Sequence, residues 1–187
     1  MPVTTLDPTT ALIVVDLQQG IAAMVGEEAI APVVDRAAAL IRAFRQHSLP
    51  VVLVNVAGIA PGRTEAGLKP RPLAEGFSDF LPELDRQPSD MVVTKTTWGA
   101  FATTDLDARL RALGVTQVVI VGVVTGTGVE ATARQAYEAG FNVTLAIDAM
   151  MDPSAEAHAY SIANVFPRLS ETGSTDDIIT LLATGNA

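Results

Sequence analysis

Short apolar runs alternate with longer stretches of helical spacing along this chain. Residues 11–15 form an unbroken apolar run closed by Asp16. Pro50–Val56, Asp90–Lys95, Gln117–Val124 and Asn142–Asp148 repeat that form, and Arg168–Thr172 reads as a short sixth strand. Runs rich in β-branched residues without polar alternation read as strands buried on both faces. Between the first two, Ile30, Val33, Val34, Ala37, Leu40, Ile41 and Phe44 share one helical face, with Pro32 suited to the first turn. Thr103–Leu113, Val129–Ala139, Ser154–Phe166 and Thr175–Leu182 read as further helices, and Gly140 as a C-cap. Strands alternating with helices at this spacing predict an α/β fold: a parallel sheet covered by helices on both faces, with right-handed crossovers.

All strand C-termini then open on one side, and the site belongs there. The polar residues expected at those ends are Asp16, Lys95, Thr125, Thr127 and Asp148. The sharpest local feature runs from Gln117 to Ala139, where a strand turns into a helix through Thr125-Gly126-Thr127-Gly128. Thr127 and Glu130 have the spacing of a capping box. That places Gly128 in a first helical turn, where backbone N–H groups lack partners and the dipole favours negative charge. Residues 57–76 are rich in Gly, Pro and charge. Their Arg63, Lys69 and Arg71 read either as anion contacts of a functional loop or as plain surface charge.

Composition removes several chemistries. The chain has 187 residues, 49% hydrophobic and 18% charged, which fits one domain over 1–187 with a sizeable core. A net charge of -9 argues against nucleic acid and anionic membranes as partners. The start has no basic n-region and no run long enough to span a bilayer, so a cytoplasmic protein is expected. With no cysteine there is no disulfide, thiolate metal site or thiol nucleophile. Of the two histidines, His47 ends a surface helix and His158 lies within a late one, so no metal is expected. His158 reads as a packing or hydrogen-bonding residue. Gly126, Gly128 and Ala131 formally meet a dinucleotide fingerprint, but on the fourth strand rather than the first, and no cofactor is expected. No G-x-S-x-G elbow occurs. What remains is Asp16 and Lys95, each ending an apolar strand. Their pairing reads either as a site with shifted pKa values or as an ion pair that closes the sheet end.

At this point the residues resemble a family. Residues 11–18, the stretch Lys95-Thr96-Thr97-Trp98-Gly99-Ala100-Phe101, and Gly122 through Arg134 are similar, in order and spacing, to the isochorismatase-like (cysteine hydrolase) superfamily. Ala136, Gly140, Asp148 and Ala149 continue the match. The resemblance implies a single-domain, six-stranded parallel sheet in a Rossmann-like three-layer arrangement. It implies a homo-oligomer, dimer or tetramer, acting on a small molecule. It also implies a cis peptide between Val123 and Val124 and an oxyanion site of amides near Gly128. The family's catalytic Asp, Lys and Cys map to Asp16, Lys95 and position 128, and the substrate contacts to Gln18, Trp98, Val124, Thr125 and Thr127. Phe101 stands beside Trp98 as a pocket wall or, more simply, as core.

Position 128 is Gly where the family has Cys. Attack on an amide carbonyl by a thiolate is therefore closed to this chain. The family branch that dispenses with the cysteine hydrolyses a vinyl ether, as in isochorismate. By that resemblance Asp16 is the general acid, Lys95 holds a substrate carboxylate or tunes Asp16, and Gly128 leaves room for substrate. The competing expectation is a catalytically silent small-molecule binder or scaffold on a degenerate cysteine-hydrolase fold.

Overall fold

The sheet has six parallel strands, and the central ones bury both of their faces. The structure is a computed structural model that describes residues 3–67 and 72–185. The strands are β1 (Thr10–Val15), β2 (Val51–Val56), β3 (Met91–Lys95), β4 (Gln117–Val123), β5 (Asn142–Met151) and β6 (Glu171–Gly173). They pair in the order β3-β2-β1-β4-β5-β6, all parallel. In β1, Leu12 and Val14 face a core shared with Val33, Leu40, Phe44 and Ile178. Ala11, Ile13 and Val15 face the opposite core, with Leu106, Leu110, Ala133 and Phe166. Helices therefore cover both faces: α2 (Glu27–Gln46) and α6 (Thr175–Thr184) on one, α3 (Leu106–Ala112) and α4 (Glu130–Glu138) on the other.

Several boundaries differ from the sequence reading. The helix before His47 is two. Gly26, at φ +98, ends α1 (Gln19–Val25), and Glu27 and Glu28 open α2 where the dipole favours acidic groups. Pro32 thus lies inside α2, not in its first turn, and forfeits one backbone hydrogen bond to the C=O of Glu28. Burial of Ile30, Val33, Val34, Leu40, Ile41 and Phe44 on one stripe outweighs that loss. The helix expected from Thr103 begins at Leu106, because the Thr104 hydroxyl donates to Ala100 O and accepts from Leu106 N, forming a turn instead. The helix expected over 154–166 narrows to α5 (Ala155–Tyr160), followed by a π-helical turn over Ser161–Val165. Gly140 follows α4 at φ +86, as expected of a C-cap.

β5 carries the most consequential difference. Its register with β4 shifts between Ile120 and Gly122, and the strand continues to Met151. Asp148 is therefore inside the strand rather than at its end. It accepts from the amide and hydroxyl of Thr175, and pairs with Arg36 at 3.1 Å. It anchors α6 and α2 to the sheet. Among the described residues no helix is long and apolar enough to cross a membrane.

Candidate active site

The strand order reverses between β1 and β4, and residues from both sides of that point converge. Asp16 follows β1 in the left-handed region, at φ +55, where its N–H donates to Val54 O and its C=O accepts from Gln18 N. A non-glycine residue held there by its neighbours is a feature found at functional positions. Lys95 ends β3 and reaches over β2. Its Nζ donates to Asp16 Oδ2 at 2.7 Å and to Thr97 O at 3.1 Å, and has no third partner among the described residues. The side chains are 1% and 9% exposed for Lys95 and Asp16. Asp16 Oδ1 is buried with no hydrogen-bond partner among the described residues.

Burial raises the Asp16 carboxyl from its ordinary 3.8 to about 6, against the downward pull of the Lys95 charge and its hydrogen bond. An acid that still carries its proton near pH 6 beside a fixed ammonium is equipped for proton transfer.

Gly128 completes the arrangement. A Cβ built there would stand 3.1 Å from Asp16 Oδ2, 3.1 Å from Val123 O and 3.3 Å from Val15 Cγ1. Even a methyl would press on these atoms, so glycine lets the turn close directly onto the carboxylate oxygen that also receives Lys95. Close backbone approach sets this up at Gly122, directly before the Val123–Val124 peptide, which is cis as the resemblance implied. At Gly122 (φ +116) a Cβ would fall 2.1 Å from Val15 O, so only glycine lets β4 lie this near the end of β1.

The turn beyond β4 departs from the sequence reading. Thr127 and Glu130 form no capping box: Thr125–Val129 is a π-helical turn that runs directly into α4. Glu130 instead accepts from Ser161 Oγ at 2.7 Å and pairs with Arg134 at 2.9 Å. The amides near Gly128 are also less free than expected. Gly126 N donates to Asp152 Oδ2, and the amides of Thr127 and Val129 both donate to Val124 O. Thr125 is fully buried, with its hydroxyl 2.9 Å from His158 Nδ1. Val124 and Thr127 are partly buried in the same turn.

Gln18 is buried and its amide is spent on backbone. Oε1 accepts from Val56 N, and Nε2 donates to Val56 O and Phe77 O. It ties the loop after β2 to the end of β1 and presents no polar atom to a substrate. Trp98 is 69% exposed, next to the Thr97 carbonyl that holds Lys95. Phe101 packs its ring on Phe141, 5.9 Å between centroids, and is core. Arg63 is exposed, while Lys69 and Arg71 lie outside the described residues. A groove of about 980 Å³ runs between α1 and residues 72–82, past Met24, Leu73, Phe77 and Phe80, but touches neither Asp16 nor Lys95.

Three supporting residues escaped sequence reasoning. Asp152 sits on the Gly126 amide, and an Asp-Pro-Ser turn signal after β5 marked it. Thr132 donates to Gly128 O at 2.7 Å and accepts from Ala100 N at 3.2 Å. Gln135 accepts from Phe101 N at 2.9 Å. The last two lock residues 96–102 onto α4, and nothing in their helical spacing signals it.

The molecule is thus a three-layer parallel α/β fold with a buried Asp–Lys pair at the point where the strand order reverses. Residues 10–177 match the Isochorismatase domain model, and the chain belongs to that family. It is 40% identical to an uncharacterised isochorismatase family protein, YecD, of Escherichia coli O157:H7, covering 93% of this chain and 96% of that one. It is 31% identical to the ureidoacrylate amidohydrolase RutB of Methylobacterium radiotolerans, covering 86% and 74%. An isochorismatase family protein of Burkholderia thailandensis superposes with a TM-score of 0.87 at 37% identity, covering 96% of this chain and 98% of that one.

Proposed function

We propose that this isochorismatase-family hydrolase cleaves the vinyl ether of a small anionic substrate of the isochorismate type, with Asp16 as general acid and water as nucleophile. The observation that carries the reading is the buried Asp16, whose Oδ2 receives Lys95 Nζ at 2.7 Å beside a position 128 that bears no side chain. RutB is named for amide hydrolysis, whereas a thiolate route needs a cysteine and this chain has none.

In this reading the protonated Asp16 delivers its proton to the terminal vinyl carbon. The ether oxygen stabilises the resulting oxocarbenium ion, and water adds to it. The Asp16 carboxylate accepts the proton released by that water, and the hemiketal collapses to a 2-oxo acid and an alcohol. Lys95 keeps Asp16 in place and offers its remaining N–H to the substrate carboxylate. A proton donor with a pKa near 6 suits such a step at neutral pH.

The deciding experiment is pyruvate release from isochorismate by the wild type, Asp16→Asn and Gly128→Cys. Release by the wild type that is lost in Asp16→Asn supports the reading. The second reading, a silent binder, draws on the near-complete burial of the pair and the occupied Gly126 amide. Tight binding without pyruvate, together with new amidase activity in Gly128→Cys, favours it.

A further inference from the structure

Asp16 and Lys95 are shut in, and the groove beside α1 reaches neither. Substrate therefore meets Asp16 only when a covering segment moves. Two neighbouring segments are fastened. Residues 96–102 are tied to α4 by Thr132 and Gln135, and residues 77–79 to the end of β1 by Gln18 and the amides of Gln19 and Gly20. The turn Thr125–Val129 is different, because it lies between Asp16 and the segment around α5. A Cβ at Gly128 would stand 3.1 Å from Asp16 Oδ2. A Cβ at Gly126 would stand 3.1 Å from Asp152 Oδ2 and 3.7 Å from both Ala157 Cβ and Ser161 Oγ.

Among the described residues α5 is the one α-helix without a buried residue. Polar contacts fasten its segment to the turn. Asp152 Oδ2 accepts from Gly126 N at 2.9 Å, His158 Nδ1 lies 2.9 Å from the Thr125 hydroxyl, and Ser161 Oγ donates to Glu130 Oε2 at 2.7 Å. The apolar anchors stand outside the segment: Met150 before it, Val165 and Phe166 after it, all buried. A stretch with little apolar burial between two anchored ends opens locally at low cost, since water replaces the hydrogen bonds it gives up. The Asp152-Pro153-Ser154 turn and the π-helical turn over Ser161–Val165 flank it as hinges.

We propose that α5 is a gate: it swings out on its two flanking turns, the three polar contacts part, and the released turn Thr125–Val129 withdraws from Asp16 to admit a small substrate. The gate rests on the reading of Asp16 and Lys95 as the site, and supplies the way in. Its closure re-forms the contacts and excludes water from the reacting groups.

The chain has no cysteine, so a single staple can be added to it. The 3.7 Å between Ala157 Cβ and the Cβ position at residue 126 falls within the disulfide range of about 3.5–4.5 Å. Gly126→Cys with Ala157→Cys, oxidised, holds the gate shut, and dithiothreitol frees it. Amide hydrogen exchange of Thr127 and Val129, whose N–H groups donate to Val124 O, reads the turn without any substrate. Exchange there should be at least about tenfold slower in the oxidised than in the reduced protein, with the β1 amides unchanged. Pyruvate release from isochorismate should fall at least about tenfold on oxidation and return on reduction. Ser161→Ala and His158→Ala each remove one contact and should speed exchange of the two turn amides at least about threefold, again with β1 unchanged. These two variants decide the matter should the disulfide not form. Equal exchange in oxidised and reduced protein overturns the gate, as does wild-type exchange in both single variants or full pyruvate release by the oxidised form. Absence of pyruvate release from the reduced protein, with the exchange difference intact, removes the hydrolytic reading and leaves the gate standing.

Discussion

Lys95 Nζ lies 2.7 Å from Asp16 Oδ2 although the two residues are 79 positions apart in the chain. A single strand, β2, separates their strands in the sheet. Each side chain is almost wholly enclosed, so the pair acts in a medium where charge is weakly screened. Removing either partner is correspondingly consequential.

The pH dependence of activity and of stability should both report Asp16. If the protonated acid drives hydrolysis, kcat/KM falls by about tenfold per pH unit above about 6. Between pH 3.8, its ordinary value, and about 6, the folded chain holds a proton that the unfolded chain has released. Unfolding free energy from this group therefore decreases as pH rises through that window. Measured against Asp16→Asn by urea titration, the wild type should lose roughly 3 kcal/mol from about pH 4 to about pH 7. A difference that stays constant with pH would refute the raised value.

Lys95→Met removes the charge that pulls Asp16 down, so the Asp16 pKa should move above about 6. At about pH 8 the variant must bury an uncompensated carboxylate, a loss of roughly 3–5 kcal/mol. Near pH 5 the carboxyl takes up its proton and the loss should shrink toward the packing change alone. Denaturation at the two pH values checks this, and equal losses at both would contradict it.

Gly128→Ala and Gly122→Ala should behave oppositely. Gly128 has no positive φ, and its new methyl meets only contacts of 3.1–3.3 Å. The cost should be about 1 kcal/mol, with hydrolysis reduced more than about tenfold because the methyl displaces Asp16. At Gly122 the methyl would strike Val15 O at 2.1 Å with φ at +116. That variant should lose about 3 kcal/mol or more and accumulate as insoluble protein. Thermal unfolding beside a solubility assay separates the two.

Thr132→Val leaves the buried Gly128 carbonyl and Ala100 amide without their hydroxyl partner. A destabilisation of about 2 kcal/mol is expected, most of it restored in Thr132→Ser. Comparing the two variants by chemical denaturation tests the hydroxyl rather than the shape.

Much of this molecule is legible along the chain. Apolar runs mark β1, β2 and β4 because burial on both faces leaves no room for alternation. Asp16 and Lys95 stand out because each ends such a run. The turn at 125–130 misleads because Glu130 finds Ser161, 31 residues away, in place of the local Thr127 amide. Asp148 misleads because a register shift carries β5 past it, and Asp152 takes the strand-end position on the Gly126 amide. Gln18 looks like a site residue, yet its amide is consumed by Val56 and Phe77.

The sequence by itself determined the inventory of chemistry: no thiol, two carboxylates and one ammonium closing apolar runs, and glycine at position 128. These are properties of covalent structure and need no fold. Only the tertiary structure decided that the Asp16 carboxylate and the ammonium touch, that burial lifts Asp16 to about 6, and that Gly128 packs against the same oxygen. Contact, desolvation and close approach depend on distances between segments far apart in the chain, and packing alone sets them.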